Sequence, residues 1–232
     1  MRKIGLIGGT SWHSTADYYG IINELVNKEL GGNHSAKLMI ESLDLQEIED
    51  LMNAGEWSTI GMRLTRSAFR LSEGGAKAIV ICTNTLHKVV DQVQYYLGGE
   101  VPIIHVGTVT AKAVKRRRIK TVCFLGTKFT MEDDFIIKEF EKKNIKVIVP
   151  DETEREFVNE VIFKQLCRGI VNPSSRTAIE CIIKRTRSHG AEGVVLACTE
   201  LSMIVNEEGA GIPVFDTMSI HAQAAADFIL ST

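Results

Sequence analysis

No pair of cysteines in this 232-residue chain has C-x-x-C spacing, no apolar run approaches membrane length, and neither sign of charge dominates. Each absence removes a class of protein. The cysteines at 82, 123, 167, 181 and 198 are five, an odd number, which indicates neither a disulfide framework nor a zinc site. No metal is therefore expected, and in a reducing compartment the cysteines stay thiols. A net charge of −2, with 24% charged and 44% hydrophobic residues, describes a soluble globular protein with no nucleic-acid or membrane partner. The one basic run, Lys115-Arg116-Arg117-Arg118, reads as a solvated segment. After Met1-Arg2-Lys3 the apolar stretch from Ile4 to Ile7 is too short for a signal-peptide core, so the expected location is cytoplasmic. Nucleotide fingerprints are missing too. Gly5, Gly8 and Gly9 do not make G-x-G-x-x-G, and no Lys-Ser or Lys-Thr follows them as in a P-loop.

What is present is alternation. "KIGLIGG" reads as a strand, followed by a helix from about Ser14 to Leu30; "KLMIESL" is a second strand, followed by a helix from about Glu56 to Glu73; "AKAIVIC" and "VPIIHV" are further strands. The second half repeats the plan with "KTVCFLGT", a helix from about Thr130 to Lys143, "IKVIVP", helices over about Glu154 to Cys167 and Ser174 to Ser188, "AEGVVLAC", "IPVF" and a last helix. Such β-α alternation predicts an α/β fold of short parallel sheets flanked by helices.

The halves match in order. Gly8 closes the first strand of one half as Gly126 closes that of the other, and capping-box patterns follow at Ser14-Thr15-Ala16-Asp17 and Thr130-Met131-Glu132-Asp133. The expectation is two pseudo-symmetric lobes, residues 1–105 and 106–215, with the C-terminal helix 216–232 packing back on the first. Ligands bind beyond the carboxyl ends of parallel strands. Facing lobes would then surround an interlobe active-site cleft with Gly8-Gly9-Thr10-Ser11, Thr83-Asn84-Thr85, Gly126-Thr127 and Cys198-Thr199-Glu200.

Among these, the glycine turn has two readings: glycines that permit a tight strand-to-helix turn, or backbone amides that bind a carboxylate. Cys123, Cys167 and Cys181 are assigned to inert packing, the default for a free thiol. Cys82 and Cys198 end strands. Laying "GAKAIVICTNT" over "GAEGVVLACTE" sets Thr83, not Cys82, opposite Cys198. Side chains alternate along a strand, so Cys82 is expected to pack behind the sheet if Thr83 faces a ligand. Thr83 and Cys198 are then a pair of groups flanking one ligand, which is what stereoinversion of a carbon requires. A thiol has an ordinary pKa of about 8.5 and can be lowered by positive dipoles, whereas a threonine hydroxyl is a far weaker acid. His87 is read as a structural hydrogen bonder in its turn, His221 as a residue of the last helix, Asp216 as that helix's cap, and Glu200 as a partner for a substrate amine.

"IGLIGGTSWHSTADYY", "CTNTLHK", "GTKFTMEDDF" and "ACTELSMIV" followed by "PVFDTMSIHA" closely resemble the aspartate/glutamate racemase family over essentially the whole chain. The likeness is greatest to the L-aspartate/glutamate-specific or broad-specificity branch. It implies a cofactor-independent amino-acid racemase with two α/β lobes, usually a homodimer, using one cysteine from each lobe. Cys198-Thr199-Glu200 fits the second family motif. The first departs from it, because C-N-T-x-H falls on Thr83-Asn84-Thr85-Leu86-His87 and puts Thr83 at the usual cysteine position. Family chemistry implies that Cys198 attacks the L-isomer, so L-substrates are favoured. Aspartate-type members carry a basic residue for the distal carboxylate at a position aligned with Cys167, near Lys164 and Arg168, which leaves glutamate or broader specificity open.

The expected function is racemisation without pyridoxal phosphate of a small amino-acid substrate. Gly9, Thr10, Ser11, Asn84, Thr85, Thr127, Thr199 and Glu200 are expected to bind it, while Cys198 and Thr83 move protons. Two rivals stand beside this: a one-cysteine decarboxylase or isomerase of small dicarboxylates, and a catalytically decayed dicarboxylate-binding protein.

Overall fold

The computed structural model describes residues 1–231; Thr232, the last residue of the expected C-terminal helix, lies outside them. The chain divides into two α/β units, one of residues 1–105 with the segment from His221 onward, the other of Val106–Ile220.

In the first unit the all-buried strand β1 (Ile4–Gly8) is central, paired in parallel with β2 (Leu38–Ser42) on one side and β3 (Ile79–Ile81) on the other. Around them run α1 (Trp12–Leu30), α2 (Leu45–Asn53), α3 (Trp57–Glu73) and α4 (Val90–Tyr96), the last entered through a 3₁₀ turn at Thr85–Val89. Helix periodicity sets which faces are buried: Tyr18, Ile22 and Val26 on α1, and Ile60, Leu64, Ala68 and Leu71 on α3, each series spaced three or four apart. The expected strand "VPIIHV" is reduced to a single bridge between Ile79 and Ile103. Pro102 has no N–H to give, Gln94 Oε1 takes the N–H of Ile103, and the chain turns into helix at Val106, so no ladder can extend.

The returning C-terminal segment is tied to this unit at several points. Arg2 N donates to Ile229 O over 2.9 Å, and the Arg2 guanidinium lies over the Phe228 ring. His221 is fully buried; its Nε2 donates to Ile104 O over 2.6 Å, which leaves Nδ1 to accept from the Tyr18 hydroxyl at 2.9 Å.

The second unit repeats the strand order around β4 (Thr121–Gly126). Its parallel neighbours are β5 (Lys146–Ile148) and β6 (Gly193–Ala197), with β7 (Val214–Asp216) beyond β6. Helices α5 (Val106–Arg116), α6 (Lys128–Glu132), α7 (Asp134–Glu141), α8 (Glu152–Lys164), α9 (Pro173–Ser188) and α10 (Glu207–Ala210) complete it, and α11 (Thr217–Leu230) begins here. Its core gathers Phe124, Phe140, Val158, Ile183, Val195 and their neighbours. Among the described residues no helix is long and apolar enough to cross a membrane.

Both expected capping boxes are displaced. The cap of α1 is Ser11, whose Oγ accepts from Ser14 N, and α6 starts after Thr127, with Thr130 Oγ1 donating back to Thr127 O. Ser14 and Thr130 are third residues of their helices rather than caps. The helix expected over 130–143 is also interrupted at Asp133, whose ψ of 151° is extended.

Candidate functional site

The first group of site residues lies past the ends of β1 and β3, which are neighbours in one sheet. Gly9 sits at φ +83°, and a Cβ there would stand 2.0 Å from Leu43 O, so only glycine makes this turn. Its N–H donates to Thr15 Oγ1 over 2.9 Å, and that amide is thereby used inside the turn. Ser11, at φ +109°, has its hydroxyl at the start of α1, where Ser14 N and Ser14 Oγ lie within 3.3 Å. Thr10 between them is different. It is 8% exposed, and its Oγ1 is buried with no hydrogen-bond partner.

At the end of β3, Cys82 is 1% exposed, and burial pushes its thiol far above the ordinary value. Thr83 is half-buried, Asn84 buried and Thr85 half-buried, in the turn that leads from β3 into the 3₁₀ segment. The turn is held from below by His87, whose Nδ1 donates to Thr83 O over 2.8 Å. Burial, then the neighbouring His105 and His221, hold His87 well below the usual imidazole range. Its ring centroid lies 4.8 Å from that of His105 and 5.6 Å from that of His221. The part His105 plays in this buried cluster was not anticipated. The signal for it was "IIHV", a histidine at the end of an apolar run.

The second group follows β4 and β6. Thr127 is buried at the end of β4, its Oγ1 3.3 Å from Thr130 Oγ1. Cys198, 7% exposed, ends β6 with extended backbone, and a 3₁₀ turn at Thr199–Met203 begins immediately. Glu200 comes back over the strand end: its Oε2 accepts from Cys198 Sγ at 3.0 Å and from Thr199 Oγ1 at 2.6 Å. The Cys198 thiol is raised well above its ordinary value, first by burial and then by the Glu200 carboxylate. The lowering by positive dipoles that sequence reasoning allowed for is overridden. The sequence held no signal for this contact, which depends on the turn that follows β6.

The remaining thiols divide. Cys123 is buried inside β4 and pushed up to about 12 by burial. Cys167 and Cys181 are exposed, contrary to the packing expected of them. Cys181 falls on the outer face of α9, whose inward residues are Ile179, Ile182, Ile183 and Thr186. Cys167 lies in a 3₁₀ turn at Leu166–Arg168, close enough to Cys198 to act on its ionisation. Lys164 is an exposed partner of Glu160 at 2.6 Å. Asp216 caps α11, accepting from Met218 N and Ser219 N. Among the described residues no cluster of His, Cys, Asp or Glu could hold a metal ion.

The family model described as Asp/Glu/hydantoin racemase matches residues 7–225. A Yersinia pestis protein provisionally named an Asp/Glu racemase is 44% identical, with both chains covered in full and a TM-score of 0.94. An aspartate racemase homologue from Pyrococcus horikoshii OT3 is 33% identical, again over 100% of both chains, with a TM-score of 0.87. The broad-specificity amino-acid racemase RacX of Bacillus subtilis (strain 168) is 22% identical over 234 residues, 98% of each chain.

Proposed function

Because this chain belongs to the Asp/Glu/hydantoin racemase family and is thus an isomerase, we propose that it racemises an acidic or broader range of L-amino acids without pyridoxal phosphate. Cys198 thiolate removes the α-proton from one face of the substrate, and Thr83, or a water it holds, returns a proton to the other. The Thr10 hydroxyl donates to the substrate carboxylate and to the enediolate-like charge that grows as the proton leaves. Asn84, Thr85 and Thr127 supply further polar contacts.

The observation that carries this reading is the contrast between the two strand-end cysteines. Burial raises both thiols, but the Cys198 thiol also has a hydrogen-bonded carboxylate at 3.0 Å. One working thiol and one hydroxyl make unequal faces, and the family resemblance implies that Cys198 is the group that meets the L-isomer. The kinship with proteins named aspartate racemase homologue and broad-specificity racemase supports an amino-acid substrate and leaves its side chain open.

Deuterium wash-in from heavy water tests it. L-Glu or L-Asp is expected to gain Cα deuterium with the wild type, and Cys198→Ala to slow this by at least about 10³-fold. Undiminished exchange by Cys198→Ala removes the assignment. Thr83→Cys is expected to gain turnover of the D-isomer; no gain argues against position 83.

A further inference from the structure

Glu200 Oε2 holds two donors at once, the Cys198 thiol at 3.0 Å and the Thr199 hydroxyl at 2.6 Å. A carboxylate only accepts, so the sulfur carries its proton and aims it at Glu200. A thiol in this state cannot remove an α-proton; a thiolate can. Ionising Cys198 to solvent would place a second anion beside the first in a buried position. Passing the proton to Oε2 instead moves one negative charge by 3.0 Å and creates none.

We infer that Glu200 is a catalytic residue of this reaction, the base that takes the proton from Cys198 Sγ. The inference rests on the racemase reading above. The Sγ–H bond breaks and an Oε2–H bond forms as substrate arrives. The thiolate then takes the α-proton of the L-amino acid, and the opposite face of the carbon is protonated from the Thr83 side. The proton on Glu200 returns through solvent to that side, so each turnover ends with a neutral thiol, an ionised carboxylate and an intact hydroxyl. This role differs from binding a substrate amine. Thr199 serves the relay rather than the substrate, fixing the oxygen that receives the proton.

Glu200→Gln keeps the shape and removes the base. Two readouts separate the possibilities: α-proton exchange of L-Glu in heavy water, resolved into kcat and KM, and the pH dependence of Cys198 alkylation by iodoacetamide followed by mass spectrometry. The relay predicts that kcat falls on the order of 100-fold or more with KM little changed. Alkylation of Cys198 moves to lower pH, because the negative neighbour is gone. Reactivity towards iodoacetamide and proton exchange thus change in opposite directions. If KM rises with kcat retained, Glu200 binds the amine and the relay is overturned; if exchange speeds up along with alkylation, it is overturned equally. No exchange by the wild type would remove the racemase reading itself, a separate and recognisable failure. Should Glu200→Gln not melt cooperatively, Glu200→Ala with added formate decides. Recovery of exchange with formate supports the relay, and its absence in a folded Glu200→Ala overturns it.

Discussion

A hydroxyl buried without a partner costs a folded protein about 1–3 kcal/mol, and Thr10 carries one. Valine has nearly the same shape and no polar atom to desolvate. Thr10→Val is therefore expected to raise the ligand-free stability by about 1 kcal/mol in urea unfolding while raising KM about tenfold or more. Stability and affinity then move in opposite directions. A variant that is less stable with an unchanged KM would show that this hydroxyl serves the fold. The residue scale is also where the sequence was most and least informative. That Cys82 packs while Thr83 is half-buried agrees with the one-residue step in side-chain direction read from the sequence, although both lie just past the end of β3. Exposure of Cys181 could have been found from helix periodicity, since it falls on the face opposite the Ile179–Ile182–Ile183 stripe. The bond from Cys198 to Glu200 could not, because it depends on a turn that returns a side chain to its own strand end.

Among the elements, strands were the readable part. Their buried β-branched runs at "IGLIG", "TVCFLG" and "GVVLA" have few other ways to fold. Helix starts were misread by three residues, because the Ser and Thr that looked like caps lie one turn inside their helices. The turn into α1 consists of Gly9 at φ +83°, Thr10, and Ser11 at φ +109°, a conformation with no signature beyond the glycine. Gly9→Ala sets a Cβ against Leu43 O and forces an unfavourable φ, so a loss of roughly 3 kcal/mol is expected. Urea denaturation measures it, and a loss below about 1 kcal/mol would mean that the turn relaxes freely. Helix α2 escaped notice because only Leu43 and Asp44 separate it from β2. Asp44 caps it by accepting from Gln46 N and Glu47 N.

At the scale of the whole molecule, the buried imidazoles set a pH limit. His221 is held at about 4 by burial, against an ordinary 6.5, with Tyr18, His87 and His105 around it. Below 6.5 the unfolded chain takes up a proton that the folded one refuses. This contribution is therefore complete above pH 6.5, is lost as pH falls towards 4, and changes no further below that. Between pH 7 and pH 4.5 the loss is on the order of 2–3 kcal/mol from His221 alone. His221→Gln retains a donor and an acceptor without titrating. Its stability is expected to fall less than that of the wild type over this range, by about that amount; parallel pH profiles would exclude His221 as the source.

The first unit is also assembled from two distant stretches of chain, residues up to His105 and those from His221 onward. At a synthesis rate of about 5–20 residues per second, roughly 6–23 s separate the emergence of His105 from that of His221. Throughout that interval Tyr18 and the Ile104 carbonyl wait for the imidazole that satisfies both. The later-made unit thus has all of its own chain before the earlier-made one does. On the ribosome, the order of completion is the reverse of the order of beginning.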